Sequence, residues 1–141
     1  MTASENRQNP AATRTLLVRD VMTIGVPICR DTEPCGVAAA RLARQSVPCE
    51  VIVALDDAGM ATGWLTCELL SRYDPARIVG EVMDEDIPTV PPDIPAEAAA
   101  QMMRDRGTEY LFLMHVWPGE SRPSGMVSLK AIERRLALEG A

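Results

Sequence analysis

Two short stretches, Gly63-Trp64-Leu65-Thr66 and Gly125-Met126-Val127-Ser128, constrain what this chain can fold into, because they are one pattern written twice. In each, a glycine permits close backbone approach, two apolar residues continue a strand, and a hydroxyl residue stands where its oxygen can cap the first turn of a helix. The repetition extends backwards. Asp20-Val21-Met22 precedes the first glycine and Glu81-Val82-Met83 the second, with 41 residues from Met22 to Gly63 and 42 from Met83 to Gly125. A repeat of this length is a supersecondary module that cannot bury its own apolar face and packs against its neighbour. The 141 residues therefore read as one folding unit built from two copies.

Taken in order, residues 1–15 are polar and aperiodic and read as a flexible arm. Arg19-Asp20-Val21-Met22 predicts a single helical turn, and Val26-Pro27-Ile28-Cys29 a short extended segment, since the residue before a proline is pushed towards the β region. Asp31-Thr32-Glu33-Pro34 predicts a helix start with Asp31 or Thr32 as cap, running to about Gln45 with Cys35, Ala38, Ala39 and Leu42 on one apolar face. The β-branched run at 51–55 predicts a strand covered on both faces. Asp56 to Gly59 is a turn by composition, residues 60–65 return as the partner strand, and Thr66 caps a helix to about Tyr73.

Residues 77–80 join the halves. In the second copy Ile87-Pro88 repeats Val26-Pro27, and Asp93 with Pro95 repeats the capped helix start before residues 96–105. There Ala96, Ala99, Ala100 and Met103 repeat the first apolar face at the 61-residue offset that separates Met22 from Met83. Residues 110–116 are the second covered strand, residues 117–124 a longer connection, and Ser128 caps a closing helix with Leu129, Ile132 and Leu136 at helical spacing.

The composition excludes several functions. A formal net charge of -6 disfavours broad electrostatic binding to nucleic acid or an anionic membrane, which need a basic face. No apolar run is long enough to span a bilayer and residues 1–9 are too polar for a signal peptide, so the expected location is the cytoplasm. Four cysteines, with no Cys-x-x-Cys pair and one histidine, argue against a zinc site and read as buried thiols.

The order short helix, strand, helix, strand, strand, helix, with Asp20-Val21-Met22-Thr23, residues 56–59 before Gly63, and Glu81-Val82-Met83 before Gly125-Met126-Val127-Ser128, resembles the CBS domain, named after cystathionine β-synthase. The resemblance covers residues 18–138. It implies an α/β (α+β) fold of two β-α-β-β-α repeats, 16–77 and 78–141, packed with pseudo-twofold symmetry around two clefts. Such clefts commonly bind adenosine nucleotides. By resemblance the ligand-binding positions are Gly63, Thr66, Gly125 and Ser128, the extended segments Val26-Pro27 and Ile87-Pro88, and the residues leading into the covered strands, Pro48 and Glu109. The implied ligand is AMP, ADP, ATP or S-adenosylmethionine, with no cofactor required, and the implied assembly is a homodimer that signals to a separate effector protein.

One departure stands out. The family's aspartate, three residues after the hydroxyl residue, falls on Leu69 and Ala131. A lost hydrogen bond costs about 1 kcal/mol, and more where a carboxylate accepted it, so ribose recognition weakens by roughly tenfold. Glu68 and Lys130 are adjacent in sequence but turned about 100° away on a helix. That departure sustains a second reading, a structural module that has lost its ligand and docks onto another protein.

Plainer roles exist for each residue. Thr66 and Ser128 cap helices whatever else they do. Arg72, Arg77, Arg134 and Arg135 are phosphate partners by chemistry and solvated surface by position. His115, in an apolar strand, reads as a core or interface residue, and Trp64 and Trp117 as packing. No nucleophile, base and stabiliser converge in the sequence, so an enzyme is not expected.

Overall fold

The strand β3, Val51–Leu55, is buried along its whole length, and its alternation divides the molecule into layers. Ile52 and Ala54 face a cluster with Cys29, Cys35, Ala38, Leu65, Leu70 and Val79, whereas Val51, Val53 and Leu55 face Trp64, Phe112 and Met126. Successive side chains of a strand point to opposite sides, so a strand sandwiched between helices and a second sheet must be apolar throughout. The strand β5, Tyr110–Trp117, follows the same rule. Leu111 and Leu113 meet the helices, and Phe112 meets the other sheet.

The computed structural model describes residues 15–45, 50–117 and 120–139. In chain order the elements are α1 (Val18–Val21), β1 (Thr23–Ile24), β2 (Ile28–Arg30), α2 (Cys35–Ala43), β3, β4 (Ala61–Thr66), α3 (Cys67–Arg72), α4 (Val79–Val82), α5 (Ala96–Arg106), β5, β6 (Glu120–Ser128) and α6 (Leu129–Glu139). They form two three-stranded sheets, β2-β3-β4 and β1-β6-β5. The fold is α+β, as expected.

Each repeat lends its leading segment to the other. Val18 of α1 is buried in the cluster of α5, α6 and the second sheet, and β1 pairs with β6 through Thr23↔Met126 and Ile24↔Gly125. Conversely Val79, Val82 and Met83 pack in the first cluster, and Asp84 bridges Trp64 of β4. The glycines make this crossing possible. A Cβ on Gly63 would lie 2.5 Å from Met83 Sδ and 2.8 Å from the Asp84 carbonyl, and one on Gly125 would lie 2.7 Å from the Thr23 carbonyl. The close approach predicted for these glycines is to the lead segment of the opposite repeat.

The same exchange corrects the expected helix caps. Neither Asp31, Thr32 nor Asp93 caps a helix. The caps are Pro34 and Pro95, without side-chain bonds, and the first helical N–H groups donate to carbonyls distant in sequence, Cys35 to that of Arg77 at the junction of the repeats and Ala96 to that of Leu16 in the other repeat, each at 2.7 Å. Backbone carbonyls from distant segments satisfy donors for which a side chain was expected. The Glu33 carboxylate instead accepts from Arg30 N and from Arg41.

Two further differences concern the strands. The two-residue β1 lacks any pattern of its own and exists because β6 offers it an edge. The second hairpin, expected to be open from Trp117 to Ser124, continues as paired strand through Trp117↔Glu120, with a register shift after Leu113. His115 is exposed rather than buried, because it lies beyond the part of β5 that faces either core. The packing role expected of Trp64 holds. It is 9% exposed, with its ring edge-to-face on Phe112 at 5.3 Å.

Candidate ligand cleft

At the end of β4 the chain runs from Trp64 through Thr66 into α3, and this strand end forms one wall of a cleft of about 800 Å³. The opposite wall is the turn after α5, Arg106 to Thr108, leading through Glu109 into Tyr110 of β5. The floor is the extended segment Asp84 to Pro88. Backbone bonding holds these pieces together. Trp64 and Asp84 exchange N–H···O bonds of 2.9 Å, Phe112 N donates to the Pro88 carbonyl at 2.8 Å, and the Trp64 indole N–H donates to the Asp86 carbonyl at 3.0 Å. The cleft is thus built from both repeats and needs the exchange described above.

Of the predicted positions, Thr66, Pro88 and Glu109 line this cleft. Gly63 lies beneath it against Met83, and Ile87 is half-buried between the sheets. The remaining positions belong to the pseudo-symmetric place at the end of β6. Ser128 is 7% exposed, Gly125 is buried against Thr23, Val26 packs between the sheets, and the Pro27 carbonyl accepts from Val53 N. Pro48 lies outside the described residues. Its intended counterpart, Glu109, corresponds instead to Glu50, since Cys67 N donates to the Glu50 carbonyl exactly where Leu129 N donates to that of Glu109, both at 2.9 Å. The segments before β3 and β5 differ in length, so the 61-residue offset that relates the two helix starts misplaces that residue by two.

Both hydroxyl residues cap helices. Leu69 N donates to Thr66 Oγ1 at 3.2 Å and Ala131 N donates to Ser128 Oγ at 3.1 Å. Leu69 is 41% exposed and does not line the cleft, whereas its neighbour Glu68 does. A carboxylate therefore stands at the cleft mouth one position before the expected one. This corrects the expectation that Glu68 turns away, for α3 is only six residues long and the cleft reaches around its first turn.

Sequence reasoning missed Arg106, Glu50, Asp84 and Asp86. Only the repeat itself could have found them, by mapping the turns before each strand onto one another. Three of the four arginines named as phosphate partners are engaged locally: Arg72 with Glu68 at 2.9 Å, Arg77 with Glu81 at 3.2 Å, and Arg135 with the Asp20 carbonyl at 3.0 Å. Arg106 is the one basic residue among the described residues lining the cleft, and no histidine or cysteine is among them. Among the described residues no group of three or more His, Cys, Asp or Glu is placed to hold a metal ion.

Tyr110 reports the local field. Its hydroxyl donates to Glu50 at 3.1 Å, and burial, then the charge and hydrogen bond of Glu50 and the charge of Glu109, push its pKa up to about 12. A smaller hollow of about 400 Å³ beside β2 carries Arg30 and Arg41, but these are paired with Asp57 and Glu33. The Arg41 guanidinium bonded to Glu33 holds that carboxyl below its ordinary value.

The fold is that of CBS domain pairs of solved structure. Residues 79–138 match the family model of the CBS domain. No curated protein matches the sequence. Among solved structures the chain is similar to the soluble part of a magnesium transporter, with TM-score 0.68 and 14% identity over 100% of this chain and 56% of that one. It is similar also to the cytosolic domain of the Mg2+ channel MgtE in complex with ATP, with TM-score 0.70 and 21% identity over 94% of this chain and 54% of that one. A third is a CBS domain pair in complex with 5′-methylthioadenosine and S-adenosyl-L-methionine, with TM-score 0.72 and 18% identity over 87% of this chain and 97% of that one. The chain thus spans about half the length of the first two, and at these identities the likeness is one of fold. No helix among the described residues is long and apolar enough to cross a membrane.

Proposed function

We propose that this chain is a regulatory CBS pair that takes an adenosyl ligand in the cleft at Thr66 and transmits its occupancy to a separate partner protein. The observation that carries the reading is the gathering of Thr66, Pro88 and Glu109 around one cleft assembled from both repeats. Structures of the same fold solved with ATP and with S-adenosyl-L-methionine support the choice of ligand class. The role is regulatory rather than catalytic, since the described lining offers carboxylates, a hydroxyl and aromatic rings but no nucleophile paired with a base. A ligand that orders both walls of the cleft links the repeats, and that link is the means of transmission. A twofold homodimer in the cytoplasm completes the reading, and sedimentation of the purified chain tests the dimer.

A thermal-shift series with adenosine, AMP, ADP, ATP and S-adenosylmethionine tests the ligand. A ligand that binds only the folded state must raise apparent stability by mass action, so one member of the series is expected to stabilise the protein with saturation. In Thr66→Val the shift is expected to vanish, although the variant itself is also about 1 kcal/mol less stable for loss of the cap. A shift that survives the substitution removes Thr66 from the site. The alternative, a docking module with an emptied cleft, is favoured by Leu69 and Ala131 standing in place of the ribose-binding aspartates. Under it, no adenosyl compound shifts the transition at millimolar concentration.

A further inference from the structure

The proposed cleft has an electrostatic character that a phosphate-binding site should not have. Among its described lining residues five are carboxylates, Glu50, Glu68, Asp84, Asp86 and Glu109, and one is basic, Arg106. The nearby Arg72, which could have answered a phosphate, is bonded to Glu68. The apolar part of the lining is Pro88 and two aromatic rings. Trp64 and Tyr110 meet edge-to-face with centroids 6.1 Å apart, and both belong to the cleft. Aromatic faces and carboxylates together favour a flat ring system and a positive charge, whereas a phosphate brought among exposed carboxylates is repelled to a degree that salt screens. The carboxylates are not arranged to invert that preference by holding a cation, since no group of three is placed to ligate a metal among the described residues.

We infer that the Thr66 cleft selects adenosyl ligands that carry no phosphate, neutral or cationic, over AMP, ADP and ATP, and that the acidic rim formed by both repeats is the cause. The inference rests on the functional reading above and narrows it to one chemical class. The adenine has Trp64 and Tyr110 for a surface, the ribose has the Thr66 hydroxyl, and the substituent on the ribose 5′ carbon meets the carboxylates. A sulfonium or other cationic substituent gains there what a phosphate loses.

Calorimetric titration of the full chain without divalent cations tests this, using adenosine, 5′-methylthioadenosine, S-adenosylmethionine, AMP and ATP. The uncharged and cationic ligands are expected to bind at least on the order of tenfold more tightly than AMP, and ATP more weakly still. Raising the salt from about 0.05 M to about 0.5 M should narrow the gap between adenosine and AMP, because screening acts on the phosphate alone. The double variant Asp84→Asn, Asp86→Asn should narrow it at low salt, since the amide oxygen that replaces the Asp84 carboxylate can still accept from residue 86 N. AMP or ATP binding as tightly as adenosine overturns the inference and leaves the adenosyl reading in place. A preference that neither salt nor the double variant changes overturns the electrostatic cause. If no member of the series binds, the functional reading itself falls and takes this one with it.

Discussion

The hydroxyl of Thr66 spends one lone pair on Leu69 N and keeps a second lone pair and a proton, which is what lets one residue cap a helix and face a ligand. Ser128 makes the same cap but lies almost wholly buried, so the two copies of the motif are chemically alike and differ in access. Tyr110 carries a consequence for pH. The folded state holds its phenolic proton more tightly than an unfolded chain, whose tyrosine titrates near 10, so the associated stability is whole below about pH 10 and is lost as the pH rises towards 12. Ultraviolet titration is expected to show a phenol with a midpoint near pH 12 that disappears in Tyr110→Phe. Among the thiols, burial first and then the charge of Glu33 push Cys29 up to about 12, so it is a poor nucleophile in the native protein. Alkylation at about pH 8 followed by peptide mapping is expected to find Cys29 and Cys35 unmodified until denaturant is added, both being buried.

At the scale of elements, the crossing of each lead segment over the opposite glycine is the least forgiving contact. In Gly63→Ala the new methyl group meets both the flexible Met83 side chain and the fixed Asp84 carbonyl, and in Gly125→Ala it meets the Thr23 carbonyl. Each is expected to cost roughly 1–3 kcal/mol, the usual range for overpacking, seen as a lower urea midpoint at an unchanged slope. The cost at Gly63 should be at least as large as that at Gly125, since each methyl meets a fixed carbonyl at a similar distance and the one on Gly63 meets the Met83 thioether besides. Helices α2 and α5 depend on the same crossing, because their first N–H groups donate to the Arg77 and Leu16 carbonyls. For that reason Thr32→Ala should lack the penalty of about 1 kcal/mol that removal of a side-chain cap brings, as thermal unfolding would show.

For the whole molecule, the two sheets meet through Val51, Val53, Leu55, Trp64, Phe112 and Met126, and each outer cluster contains residues from both repeats. Phe112→Ala, which empties the centre of that seam, is expected to cost about 3–5 kcal/mol. The exchange of lead segments makes the repeats interdependent. A fragment of residues 78–141 lacks Val18 and the edge strand β1, and circular dichroism is expected to find it without the native helix and strand content. The intact chain should unfold in one transition, with far-ultraviolet dichroism and tryptophan fluorescence coinciding. Separate transitions would mean that each repeat closes its core without the other.

The sequence by itself determined the pair of repeats, the covered strands β3 and β5, the apolar faces of α2 and α5, and the hydroxyl caps at Thr66 and Ser128. Each of these follows from local periodicity or from a side chain bonding its own turn, information carried within a few residues. Only the tertiary structure decided that each lead segment belongs to the opposite core, that β1 is a strand, and that helix α2 starts on a carbonyl from residue 77 rather than on Asp31. It also placed Glu50, Glu68, Asp84, Asp86 and Arg106 around the predicted Thr66, Pro88 and Glu109. Those residues come from four separate segments, and the charge of the cleft is the sum of positions that no local pattern connects.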